Sequence, residues 1–191
     1  MNDAINALGF SGSLRSGSYN TALLRFAREA APAGMNIDIF DISAIPLYNA
    51  DVDAAGAPEP VARFKDAIAA HDALLIVTPE YNYSIPGVLK NAIDWASRPA
   101  GRTPLDGKPA AIMGASTGPV GTARAQAHLR LVLASNNVAV LPAPAVLVAR
   151  AAEKFDRDGK LVDDATAAHV SKALAAFLDW TRRLARPAPQ S

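Results

Sequence analysis

The chain has no cysteine in its 191 residues. That absence removes disulfides, thiolate metal sites, iron–sulfur clusters and cysteine nucleophiles together. An excess of charge is also missing: 19 Lys and Arg stand against 18 Asp and Glu, a net of +1. Such a balance gives none of the positive field that gathers nucleic acid or an anionic membrane surface. No apolar run approaches the ~20 residues of a membrane-spanning helix, and the N-terminus has no basic patch followed by an apolar segment. We therefore expect a soluble cytoplasmic protein with no nucleic-acid or membrane partner. His71, His128 and His169 are scattered on separate expected elements, so no metal site is expected.

What is present is an ordinary globular balance, half apolar and about a fifth charged. The length suits one domain over 1–185, followed by a frayed Pro-rich tail over 186–191. Ala4–Phe10 is an apolar run ending at Ser-Gly-Ser and reads as a buried strand. A helix follows from Ser18, with Leu23, Phe26, Ala27 and Ala30 on one face. Asn36–Ile42 alternates with period two, as a strand near a sheet edge does. Asn49–Pro60 reads as a surface loop. Val61, Phe64 and Ile68 mark a second helix, Ala73–Thr78 the clearest buried strand, and Gly87–Ala96 a third helix. Pro109–Met113 is a fourth strand and Gly121–Ser135 a fourth helix. Val138–Val148 holds a fifth strand broken by Pro142 and Pro144. The last helix, Ala165–Leu184, carries the stripe Val170, Ala173, Leu174, Phe177 and Leu184. Five strand–helix alternations with continuous apolar strands predict an α/β fold: a parallel, doubly wound sheet covered by helices on both faces. Ligands of such sheets bind beyond the carboxyl ends of the strands.

Three loops at those ends have unusual composition. Ser11–Asn20 leads into the first helix, so its backbone N–H groups and the helix dipole point at one anion site. It adds hydroxyls at Ser11, Ser13, Ser16 and Ser18, the Asn20 amide and the Arg15 cation. Its glycines (Gly9, Gly12, Gly17) miss the dinucleotide fingerprint, and the lysine of a nucleotide-triphosphate loop is absent. Many neutral donors suit a single phosphomonoester; the plainer reading is a Ser/Gly turn that caps the helix. In the second loop, Pro79 and Pro86 clamp Tyr81-Asn82-Tyr83, a stiff rim where a planar heterocycle could lie. Packed tyrosines in a Pro-bounded loop are the alternative there. The third loop, Gly114–Gly121, allows close backbone approach to a ligand or is a plain connection.

Together, Gly12–Asn20, Pro79–Trp95 and the Ser116 loop resemble the NADPH-dependent FMN reductase family, in particular its chromate, quinone and azo-dye reductases. Phe155-Asp-Arg-Asp-Gly-Lys-Leu161 is similar to that branch as well. The likeness runs from about Ile5 to Leu184. It implies a flavodoxin-like three-layer fold with sheet order 2-1-3-4-5. It implies that Ser11, Ser13, Arg15, Ser18 and Asn20 hold the FMN phosphate, with Tyr19 also among the cofactor-binding residues. Pro79, Glu80, Tyr81, Asn82 and Tyr83 would line the isoalloxazine, and Ser116 and Gly118 would border the ring or ribityl chain. NADPH or NADH would be the co-substrate, passing hydride to flavin N5 before an acceptor takes its place, with ping-pong kinetics. Tyr83, Lys90 and Arg124 are candidates for the nicotinamide nucleotide, although Lys90 and Arg124 also read as solvated helix residues. The acceptor would be a quinone, flavin, azo compound or metal oxyanion such as chromate, and the assembly a homodimer or homotetramer. One departure is Ala127, where the family pattern leads us to expect an aromatic.

Two other classes compete. A flavodoxin-type electron carrier would fit the same fold, but those proteins are strongly acidic and this one is not. A serine hydrolase is suggested by Gly114-Ala-Ser116-Thr-Gly118 with Asp163 and His169 in the right order. Against it, Pro119 and Gly121 delay the helix after Ser116, and His169 falls inside a helix. Asp156-Arg-Asp-Gly159 resembles the start of a calcium loop, but its glycine comes two residues early; a tight turn is expected.

Overall fold

A computed structural model describes residues 4–185; the expected tail over 186–191 lies outside the described residues. The chain alternates through β1 (Ile5–Ser11), α1 (Tyr19–Glu29), β2 (Met35–Phe40), α2 (Ala50–Ala55), α3 (Glu59–Ala70), β3 (Ala73–Val77), α4 (Gly87–Ala96), β4 (Pro109–Ala115), α5 (Ala123–Ala134), β5 (Ala139–Val140), β6 (Val146–Val148) and α6 (Asp164–Ala185). All pairings are parallel, in the order β2-β1-β3-β4-β5, and β6 also pairs with β4. The expected fifth strand is thus two short pieces on one edge. Pro142 and Pro144 fall between them, where a residue without an N–H cannot continue a ladder.

Both faces of the sheet are covered, and the strand residues divide between them by parity. Ala7, Leu75, Val77 and Met113 pack under α1 and α6 with Leu23, Leu24, Leu174 and Phe177. Leu8, Phe10, Leu74, Ile76 and Ile112 pack under α3, α4 and α5 with Phe64, Leu89, Ile93 and Leu129. β1, β3 and β4 lie inside both layers, which is why they read as unbroken apolar runs. β2 is an edge strand with Asn36 and Asp38 exposed, as its alternation predicts.

Two expectations need correction. The Asn49–Pro60 stretch is not all loop: Asn49 caps α2 by accepting the Asp51 amide at 2.8 Å, and Gly56 at φ +121 ends it. α2 buries no residue, so it carries no apolar period by which a sequence would reveal it. Leu184 does not join the α6 stripe; it is 43 % exposed, while Val170, Ala173, Leu174 and Phe177 are buried. The Asp156–Gly159 segment is the expected tight turn: Asp156 Oδ1 accepts the amides of Asp158 and Lys160, and Gly159 has φ +79.

Gly114, near the carboxyl end of β4, is required by close approach. A Cβ there would stand 1.9 Å from Thr122 Oγ1 and 2.4 Å from the Thr78 carbonyl oxygen. Gly114→Ala should therefore lower stability by about 3 kcal/mol, the overpacking penalty of a site whose neighbours include backbone; urea unfolding of the two proteins measures it.

Candidate functional site

The β1–α1, β3–α4 and β4–α5 loops meet at the carboxyl edge of the sheet, around a cavity of about 380 Å³. Ser13, Arg15, Ser18, Tyr19 and Asn20 line it from the first loop, Pro79, Glu80 and Tyr81 from the second, and Ala115, Ser116 and Thr117 from the third. Of the expected site residues, Ser11, Asn82, Tyr83, Lys90, Gly118 and Arg124 are not in that lining. Ser11 is buried beneath it, its Oγ accepting from the Ser13 amide and the Thr21 hydroxyl. Ala115 and Thr117 were missed; their position beside Ser116 was the available signal.

The first loop combines a cap with a row of open amide donors. Ser18 is the N-cap of α1, its Oγ accepting the amides of Asn20 at 3.2 Å and Thr21 at 3.3 Å. The capping reading is therefore correct for Ser18, whose hydroxyl hydrogen stays available to a ligand. Among the described residues, the amides of Leu14, Ser16, Gly17 and Tyr19 have no protein acceptor. Donors left open at a helix N-terminus suit a phosphate. Arg15 stands over the Tyr19 ring at 5.7 Å, and Tyr19 packs in turn on Phe155 at 5.4 Å.

Asn20 does something composition did not suggest. Its side chain is 4 % exposed and bonds Ala115 reciprocally: Nδ2 donates to the Ala115 carbonyl at 2.9 Å, and Oδ1 accepts the Ala115 amide at 2.8 Å. An amide side chain is the one group that can pair a backbone unit in both directions. It occupies the place of a strand neighbour at the end of β4 and fixes the first loop against the third.

The second loop ends in a closed hairpin. Tyr81 and Ser84 exchange both backbone hydrogen bonds at 3.0 Å, and the two residues between them, Asn82 (φ 49) and Tyr83 (φ 67), are left-handed. Positive φ at both central positions is the type I′ turn. Asn tolerates it, whereas Tyr83 bears about 1 kcal/mol of strain. Arg124 holds it, its guanidinium 4.0 Å from the Tyr83 ring centre. Glu80 completes the latch by accepting the amides of Arg124 at 2.9 Å and Ala125 at 3.1 Å and the Arg124 guanidinium at 3.0 Å. The cap of α5 thus comes from another loop, since Thr122 at the N-cap position makes no side-chain cap bond. Arg124 is committed to this latch, and Lys90 is paired with Asp94 one turn along α4 at 2.7 Å.

The hydrolase alternative fails on geometry. Ser116 Oγ accepts the Gly118 amide, His169 Nε2 bonds the Ala145 carbonyl oxygen, and Asp163 caps α6 through Thr166. No hydrogen bond links the three. Among the described residues, no cluster of three or more His, Cys, Asp or Glu could hold a metal, and no helix is long and apolar enough to cross a membrane.

A 2-1-3-4-5 parallel sheet with a hydroxyl-rich loop after β1 and a stiff aromatic hairpin after β3 defines a flavodoxin-like protein. Within that class the chain belongs to the NADPH-dependent FMN reductase family, whose sequence profile matches residues 5–153. It is 55 % identical over 184 residues to an NAD(P)H-dependent FMN reductase of Pseudomonas aeruginosa, covering 96 % of this chain and 99 % of that one. It is 43 % identical over 171 residues to a 2-hydroxy-1,4-benzoquinone reductase of a Burkholderia species, covering 90 % and 93 %. The solved structure of a flavoenzyme NAD(P)H:(acceptor) oxidoreductase from Paracoccus denitrificans superposes with a TM-score of 0.87 at 39 % identity, covering 94 % and 98 %. The expected fold and family are borne out, and with them an oxidoreductase rather than a hydrolase.

The Glu80 latch has a pH signature. Burial alone would raise the carboxyl; the Ala125 and Arg124 amides and the guanidinium outweigh it and hold it below its ordinary 4.5. A carboxyl depressed by folding stabilises fully above its unfolded value and loses that contribution as pH falls through the folded one. Glu80→Gln should cost about 1–2 kcal/mol near neutral pH, the loss of a charged cap. The gap to wild type should close as pH drops below 4.5, which denaturant unfolding at several pH values would follow.

Proposed function

We propose that the protein holds FMN in the cavity of the three loops and transfers electrons from NADPH or NADH to quinones, flavins, azo compounds or metal oxyanions such as chromate. The observation that carries this reading is one cavity lined both by the Ser13 and Ser18 hydroxyls, Arg15 and the open Tyr19 amide at the start of α1 and by Tyr81 of the hairpin. FMN, when bound, supplies the two-electron redox chemistry that a chain without cysteine lacks. Arg15, Ser13 and Ser18, with the amides of Ser16, Gly17 and Tyr19, are the groups suited to its phosphate. Pro79, Tyr81 and the Ser116 loop suit the walls beside a planar ring, and Asn20, itself in the lining, fixes the distance between the loops. Self-association is supported by the apolar residues left outward on α5 and the hairpin: Ala127, Leu131 at 71 % exposure and Tyr83 at 66 %.

Two measurements test the reading. Protein incubated with FMN, desalted and then treated anaerobically with NADPH should keep flavin absorption bands and then bleach. A colourless protein after desalting refutes FMN binding, and bands that neither NADPH nor NADH bleaches favour an electron carrier. Arg15 and Asn20 should separate in mutagenesis. Arg15→Ala should weaken FMN binding by about tenfold or more with unfolding unchanged, the effect of losing a charge-assisted bond. Asn20→Ala should weaken FMN and also destabilise the apoprotein by about 2–3 kcal/mol, since it leaves a buried backbone unit unpaired.

A further inference from the structure

A second cavity, of about 340 Å³, opens on the other side of the phosphate loop, between that loop and the carboxyl end of β2. It shares Ser13 and Arg15 with the first cavity, so the two adjoin at those residues. Its walls differ in chemistry. Leu14 at 50 % and Ile39 at 37 % exposure contribute apolar surface to its lining. At one end stands Asp41, just past β2. Its Oδ1 accepts the Ser43 amide and its Oδ2 the Ser43 hydroxyl, each at 2.9 Å. Those two bonds fix the carboxylate and leave one lone pair on each oxygen. Toward the phosphate loop stands Arg25 of α1, which has no carboxylate within 4.0 Å among the described residues. An apolar slot, an acceptor carboxylate at the end of the second strand and an open guanidinium form the set that receives a purine, a ribose diol and a phosphate. With Arg15, Arg25 and Asp41 around it, the slot keeps a net positive charge.

We propose that this cavity is a subsite for the adenosine phosphate group carried by NAD(P)H. The base would lie between Leu14 and Ile39, the ribose hydroxyls would donate to Asp41, and the phosphate would face Arg25. The assignment rests on the reductase reading for its ligand, and it explains what that reading leaves over: a cavity adjoining the first whose arginine, Arg25, does not line the first. FAD carries the same group, so the test includes it.

The test pairs NADPH and NADH with reduced nicotinamide mononucleotide, which lacks the adenosine half. In the flavin-loaded double variant Arg25→Glu/Ile39→Trp, KM for NADPH and NADH should rise about tenfold, the loss of one charge-assisted contact with the slot filled. KM for the mononucleotide, maximal turnover and FMN affinity should not move; both side chains are at the surface, and unchanged thermal unfolding verifies that the fold is kept. Loss of affinity for FAD with FMN affinity intact would keep the subsite and assign it to FAD. Unchanged KM for NADPH and NADH with unchanged FAD affinity overturns it. Calorimetric titration with 5′-ADP reads the subsite without flavin. ADP binding that the double variant abolishes, in a protein that does not retain FMN, would sink the reductase reading and leave the subsite standing.

Discussion

The reciprocal pair between the Asn20 side chain and the backbone of Ala115 joins parts of the chain 95 residues apart, and the site depends on it. A parallel sheet fixes where its strands end but not how the loops beyond them sit. Each loop is tied only at its own strand and helix, and a ligand held by two of them needs their separation set in advance. Asn20 sets it by continuing the ladder of β4 with a side chain. The exchange of a backbone partner for an amide keeps both hydrogen bonds while turning the chain away into a helix. Buried at 4 % exposure, the pair has no water to compete with it, so its loss leaves two polar backbone groups stranded.

The Glu80–Arg124–Tyr83 latch does for the second and third loops what Asn20 does for the first and third. One carboxylate caps a helix that lacks a cap of its own and pins a guanidinium against a strained tyrosine. The left-handed backbone at Tyr83 persists because the hairpin hydrogen bonds and the stacked arginine over-determine it. Three loops of different length and composition thus share two fastenings, and the cavity between them is held open by two residues of its own lining, Asn20 and Glu80, whose polar groups bond across to other elements.

Much of this was legible in the residues, and what was not has a common cause. Continuous apolar runs at Ala73–Val77 and Pro109–Met113 disclosed strands covered on both faces, because burial on two sides removes the alternation. Period two at Asn36–Ile42 disclosed the edge. Loop composition disclosed which three loops meet around the cavity. The partners were not legible: Asn20 looked like one more phosphate donor and Glu80 like a wall of the ring, since nothing local indicates a contact 95 or 44 residues away. Arg124, read either as a nucleotide candidate or as a solvated helix residue, hid its Glu80 partner for the same reason, whereas the Lys90–Asp94 pair, four residues apart on one helix, was open to a local reading. The helix at Ala50–Ala55 escaped because it buries nothing, and Leu184 misled because a periodic stripe can run past the edge of the layer it covers.

The break between β5 and β6 concerns crowding. An edge strand of ten residues beside β4 would offer a long row of unsatisfied amides and carbonyls, a template on which other chains could aggregate. Here that row is cut into two residues and three, with Pro142 and Pro144 between them offering no amide hydrogen at all. At the opposite edge, β2 turns Asn36 and Asp38 outward. A protein whose central strands are almost wholly apolar thereby ends its sheet on both sides in segments that discourage further pairing. The proline-broken strand protects solubility during synthesis and refolding, when the apolar centre is still open.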